Sequence, residues 1–434
     1  MNRTRKLCPS ETFLLPAFLC CVLAQASVFS QSSNVINLEN ADSLLGKIIE
    51  GKEVRELIGH VKFSQGDISV SCDRALQYIE TGRVILTGNV VVQDDSVIIR
   101  APRGMYHRDE RRVEAFDSVS LDDGKVRLTA RYGEYFVGPK RAFFHSHVVI
   151  DDAGSTVIAD SLVYFRTEKR SVATSNVKVY NAADNVTIMG NQLEHLSEAR
   201  FSRVTGGPVF FQVDTSASGK MDTLVVRSRV MESYRDSIRR LLAIDSVEIV
   251  RSDLAGLAGF AEFFTEGDSI LLRSSPVIWY EQTQVTGDSI NVYLKARKLH
   301  HVDVMGEAFA LSQSDSNYPE RFDQITGEFM RMHFLDRKLD RIDVERRAIS
   351  VYHLYEDDEP NGLNRTSGDH IVLLFEKGKV QSIKIFGGVE GRYIPENLVH
   401  DREEEYRIAG FRWRDDRPQL LRGGVQIARQ LVSQ

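Results

Sequence analysis

Three adjacent aspartate pairs, Asp94-Asp95, Asp122-Asp123 and Asp151-Asp152, recur along this chain. Carboxylates at that density could do two kinds of chemistry. In turns they could hold a hard cation such as calcium; mid-strand on one repeat face they could serve as acid and base on a glycan. The glycine-rich nonapeptide spacing of calcium β-rolls is missing, and these acids stand beside small polar residues, so solvated turns are expected. His145 with His147, and His300 with His301, lack a third histidine or a carboxylate at ligand spacing, and neither H-E-x-x-H nor G-x-S-x-G occurs. "GGVEG" (387–391) lacks the lysine and the strand-to-helix context of a phosphate loop. Catalytic residues, metal sites and cofactors are therefore not expected, and a carbohydrate-active β-helix enzyme is the enzymatic rival.

Bulk properties narrow the class further. Residues 1–26 read as a secretory signal peptide: Arg3, Arg5 and Lys6, then an apolar run from Phe13 to Ala24, then small residues at Ala24 and Ala26. The run is shorter than the roughly 20 residues that cross a bilayer. Its removal leaves Cys72 as the remaining cysteine, which excludes a disulfide scaffold and reads as a small buried residue. The net charge of −6 becomes −8 when three cations and Glu11 leave with the leader. Such a mildly acidic chain, without basic stripes interleaved with aromatics, is not expected to bind nucleic acid.

The elements that carry these residues repeat. The valine after each Gly-Asn-like pair falls at Val61, Val90, Val119, Val148 and Val177, in steps of 29 residues. "APRGMY", "ARYGEY" and "ADSLVY" return at the same interval, each setting alanine and tyrosine five apart. Beyond Val177 the phrase persists at looser spacing, at Val209, Val247, Val277, Ala308, Ala348 and Val389. Periods of this length mark stacked arrays whose units bury their apolar faces only against one another.

Alternation of apolar and polar residues, as in "NVKVY" and "SVEIV", predicts half-buried strands, and Gly, Asn, Asp and Ser clusters predict turns. "MESYRDSIRRLLAI" (231–244) is the one serious helix candidate. The fold class is all-β, a stacked repeat, solenoid-like, in two consecutive halves: a regular one at 41–213 and an irregular one at 222–396. "DTSASGKMD" (214–222) is the boundary, and 401–434 reads as a poorly packed charged tail. Parity places Val61, Val90, Val92, Val119, Leu121, Val148, Ile150, Val177, Val179, Val209, Phe211, Val247, Ile249 and Val277 on one inner face.

The "GNV"-type corners, the acidic turns and the "A-x-x-x-x-Y" strands behind a leader resemble the OstA-like proteins. This family includes the periplasmic bridge protein of lipopolysaccharide transport and the amino-terminal domain of its outer-membrane partner. The likeness is strongest from Gly59 to Val213 and weaker to Glu396, and "GFRWRDDRPQ" (410–419) is similar to a tail on long members. It implies an open β-jellyroll, folded like a taco, whose inner residues face the acyl chains of lipopolysaccharide or a related lipid. It implies location in the periplasm, with outer-membrane association, and partners among envelope transport proteins reached through edge strands, including head-to-tail self-association. The chain departs from the family in having two halves. Read without the resemblance, the same inner valines suit a closed β-solenoid scaffold that carries no lipid.

Overall fold

The computed structural model describes residues 35–419, except positions 125, 153, 184, 216–220, 236–237, 265–266, 296–297, 316, 337, 358 and 377–378. The expected leader and residues 420–434 lie outside the described residues. Among the described residues twenty-eight strands join in one sheet, and the pairings between them are antiparallel. In the regular part each 29-residue unit is one hairpin, such as Arg83–Asp94 followed by Val97–His107.

In the regular part the first strand of each hairpin carries a corner in its middle. In Arg83–Asp94, Thr87 pairs with Arg103 and Val90 with Ala101, so Gly88 and Asn89 together oppose Pro102. Both adopt positive φ, 75° and 47°. This is a β-bulge, which bends and twists the strand that carries it. The same two-residue corner recurs at Gly59–His60, Ser146–His147, Ser175–Asn176, Asp245–Ser246, Gly306–Glu307 and Arg346–Arg347. Because the corner itself takes two residues, side-chain parity along this strand survives it. Val84 and Leu86 before the corner and Val90 and Val92 after it belong to one core. That core runs without a break from Leu57 to Leu373.

Glycine is required at position 88 for two reasons. Its φ suits few L-residues, and a Cβ there would lie 2.3 Å from the Asp73 carboxylate. Asn89 Nδ2 donates to that same carboxylate at 2.9 Å, so the aspartate opposite the bulge pins the corner. Asn176 and Asp160 repeat the bond at 2.6 Å.

Three expectations are corrected. The expected helix is replaced by strands: Val230–Tyr234 and Arg240–Val250 pair with each other, the second also with Ala255–Phe264. Ladder partners on both sides outweigh a local helical period. The stretch after Asp401 is not poorly packed: Ile408 is buried, and Tyr406, Phe411 and Trp413 pack with it on Phe309, Leu311 and Val351. The acid pairs are not simply solvated, since Asp94 is 3 % exposed. The ladder also passes through the expected boundary, where Val209–Thr215 pairs with Met221–Arg227. Cys72 is buried, and burial pushes its thiol up to about 11.

Candidate functional site: a tyrosine seam and an apolar window

The tyrosines of the repeat close the fold. Gln65 shares its sheet row with Ile68, Asp94 and Val97, which places it level with the start of the strand Val97–His107. Tyr106 sits near the other end of that strand, about 30 Å away if the strand were flat. Yet Tyr106 Oη donates to Gln65 Oε1 at 2.5 Å. The sheet is therefore folded back on itself at the corners, and the tyrosine ties the tips of its two arms together. Tyr135 Oη to Asp94 Oδ2 (2.5 Å) and Tyr164 Oη to Asp123 Oδ2 (3.3 Å) repeat the tie at the same 41-residue offset. Arg166 adds a second tie, donating to Asp95 Oδ2 at 2.9 Å. Burial holds the phenols of Tyr106 and Tyr135 in their protonated, donating form, pushing Tyr106 up to about 12.

Inside the seam runs an unbroken apolar row. Phe63, Val70, Val92, Ile99, Leu121, Leu128, Ile150, Val157, Val179, Ile188, Phe210, Val226 and Ile249 are consecutive cross-strand partners. The first six are buried, and so are the last three. Between them Ile150, Val157, Val179 and Ile188 are only half-buried while still packed on the core. This window opens where the seam stops. One repeat beyond Tyr164 the tyrosine position holds Leu193, which has no hydroxyl to reach across.

The facing lip is polar. Tyr164, Ser171, His195 and Ser202 are consecutive partners on the other arm, and His195 Nδ1 lies 2.9 Å from Ser202 Oγ. Arg235, bonded through its backbone N–H to Arg200 O at 3.0 Å, reaches Ser155 Oγ at 3.2 Å. A half-open apolar row beneath a lip of hydroxyls, imidazole and guanidinium suits an amphiphile with an anionic head. Among the described residues no group of three His, Cys, Asp or Glu is placed to hold a metal.

Of the residues expected on the inner face, Val61, Val90, Val92, Val119, Leu121, Val148, Val177, Val247 and Ile249 lie in the main core, with Ile150 and Val179 packed at its window. Val209, Phe211 and Val277 do not join them. Val209 and Phe211 pack with Val225, and Val277 with Trp279, in separate clusters on the opposite face. The corners there are Gly206–Gly207 and Ser274–Ser275, so Pro208 and Pro276, not the valines, take the first inward place. Phe210 and Ile278 follow as the inward residues. Reading from the valine shifted the frame by one, which turns a strand over. The tie partners Gln65, Asp94 and Asp123 were missed as well. Their constant 41-residue offset from a tyrosine was the available signal.

The fold and this site define a class, the folded-over β-repeat jellyroll. Residues 81–188 match the model of the OstA-like protein family, a span that includes two of the tyrosine ties and the window. Among solved structures, LptH, the LptA-homologous periplasmic component of the lipopolysaccharide transport device of Pseudomonas aeruginosa, aligns over 33 % of this chain and 95 % of its own, at 14 % identity and a TM-score of 0.26. No curated protein matches.

Proposed function

We propose that this protein is a non-enzymatic envelope component that carries or bridges lipopolysaccharide or a related lipid in the periplasm. The window at Ile150, Val157, Val179 and Ile188 admits an acyl chain to the core, and the polar lip faces the head group. The observation that carries this reading is the break in the inner row: the residues are apolar, inward-facing and half-exposed only where the tyrosine tie is missing. Each buried methylene contributes roughly 0.8 kcal/mol, so seating even a few carbons of one chain on these four side chains gives useful affinity.

The ends of the sheet support the bridging part of the proposal. Among the described residues Ser43–Ile49 pairs with Lys52–Gln65 on one side only, and it exposes Leu44, Leu45 and Ile48. At the far end Lys379–Phe386 pairs with Glu359–Glu376 and exposes Phe386. Unpaired strand edges accept strands from partners, or from a second copy head to tail, through main-chain hydrogen bonds.

One observation favours a scaffold that holds no lipid: Val61, Val70 and Leu86 are fully buried, so the first units have a dry core. A photoreactive residue at Val179, in the full chain incubated with purified lipopolysaccharide, separates the two. Lipid adducts at Val179 and none at Lys178 support the carrier, whereas no adduct at either, nor at Ile188, supports the scaffold. Loss of a glycan turnover in Asp122→Asn or Asp151→Asn would instead favour an enzyme.

A further inference from the structure

The outer face of one arm carries a stripe that the 29-residue period assembles across strands. Arg112, Phe136, Arg141, Phe165 and Arg170 are consecutive cross-strand partners along the tip of that arm. The guanidiniums lie over the rings: Arg112 and Arg141 are 6.0 and 5.2 Å from the Phe136 centroid, and Arg170 is 5.1 Å from that of Phe165. The expectation that basic stripes interleaved with aromatics are absent holds along the chain but not across the sheet. Phe143, Val163 and Val172 form the next row toward the corners. Their chain neighbours Ala142, Leu162 and Ala173 face the core, so this row faces outward, and its members keep part of their surface open to solvent.

Charge is divided between the two arms. The turns 108–112, 137–141 and 166–170 at the tip of this arm hold eight Lys or Arg and three acids, whereas the turns 94–96, 122–125 and 151–155 on the other arm hold six acids and one lysine. In a chain of net charge −6, that separation orients the molecule near an anionic surface, basic tip toward it and acidic tip away. Part of the basic charge is neutralised within the fold: Arg112 pairs with Glu110 and Glu134, Arg170 with Glu194, and Arg166 with Asp95. Lys140 and Arg141 are exposed, and among the described residues no carboxylate pairs with either.

We propose that this face docks on an anionic phospholipid bilayer, with Lys140 and Arg141 at the head groups and Phe136, Phe143 and Phe165 at the boundary with the acyl chains. Aromatic rings settle at the interface of a bilayer, and cations are attracted to an anionic leaflet within a Debye length of it. A soluble polyanion would satisfy the cations but leave Phe143, Val163 and Val172 in water. The strands involved, Arg141–Asp152, Ser155–Phe165 and Arg170–Asn181, carry Ile150, Val157 and Val179 of the window toward their other ends. Phe165 and Arg170 also adjoin Tyr164 and Ser171 of the polar lip, so a docked molecule holds the mouth of the window at the membrane surface. Docking itself does not depend on lipid entering the window.

Sedimentation of the chain without its expected leader, 1–26, with vesicles free of lipopolysaccharide tests this. The bound fraction is expected to be several-fold higher on vesicles of phosphatidylglycerol and phosphatidylcholine than on phosphatidylcholine alone, and to fall as salt is raised. Lys140→Glu combined with Arg141→Glu, both at exposed positions, should remove most of that difference while the circular dichroism stays that of the parent chain. Phe143→Trp gives a second measurement. Its fluorescence should be quenched by anionic vesicles with brominated acyl chains, whereas that of Tyr180→Trp, exposed on the outer face of the other arm, should not. No binding, equal binding to both kinds of vesicle, unchanged binding of the charge variant, or equal quenching at 143 and 180 overturns the proposal. A failure of lipid crosslinking at Val179 leaves it standing, so the two proposals fall separately.

Discussion

The hydroxyl of Tyr135 donates to the carboxylate of Asp94 at 2.5 Å although the two residues sit at opposite tips of the folded sheet. The bond joins arms that only the mid-strand bulges bring together, so it reports on the fold angle rather than on either strand. Tyr135→Phe keeps the ring and deletes the donor. With Asp94 left beside Arg166, the expected loss is about 1–3 kcal/mol, read from denaturant midpoints. A double-mutant cycle with Asp94→Asn should show coupling of that order; additive effects would mean the tie contributes nothing.

The seam should fail in alkali. An unfolded phenol ionises near 10.0, whereas that of Tyr106 in the fold is pushed up to about 12 by burial. Between those values the folded state holds a proton that the unfolded state has released, so the contribution is complete below pH 10 and is lost as pH rises toward 12. Burial and the Asp94 carboxylate push Tyr135 in the same direction, and burial pushes Tyr164 likewise. Tyrosinate absorbance should rise together with loss of strand circular dichroism. Titration of all tyrosines near 10 with the fold intact is the contrary outcome.

The corner at Gly88 should tolerate substitution poorly. Gly88→Ala puts a Cβ where Asp73 stands and forces it into a left-handed conformation, at a cost of about 1–3 kcal/mol. Asp73→Ala in the same chain should restore the part due to the clash and leave the backbone part. Full rescue would show that φ is not strained there.

Arg321 anchors the stretch that follows Ile394. It is 1 % exposed and bonds Glu396 and Glu403, the second at 3.2 Å. Arg321→Leu strands two carboxylates that keep some solvent, so the loss should fall at the low end of a broken buried pair, about 3 kcal/mol. Limited proteolysis should then cut first within 395–419 while the repeat body stays intact. Unchanged cleavage kinetics would assign the anchor to the apolar contacts of Ile408 and Trp413 instead.

Much of this protein was legible in its sequence because the information was local. A 29-residue period, the Gly-Asn corner and the alternation of Val177, Lys178 and Val179 depend on neighbours a few residues apart, and they determined an all-β stack with one apolar face. The corner pair is the better frame marker than the valine after it, since φ, unlike side-chain type, cannot shift. At Pro208 and Pro276 the valine misled.

The tertiary structure decided what depends on the fold angle. Whether Tyr135 meets Asp94 or water is settled by how sharply the bulges bend the arms, and no local pattern encodes a hydrogen bond 41 residues away. The same closure decides exposure. Val92 and Val179 hold equivalent places in equivalent strands, yet one is sealed and the other half-open. The seam reaches only the first, because the next tyrosine position holds a leucine that cannot bridge the gap.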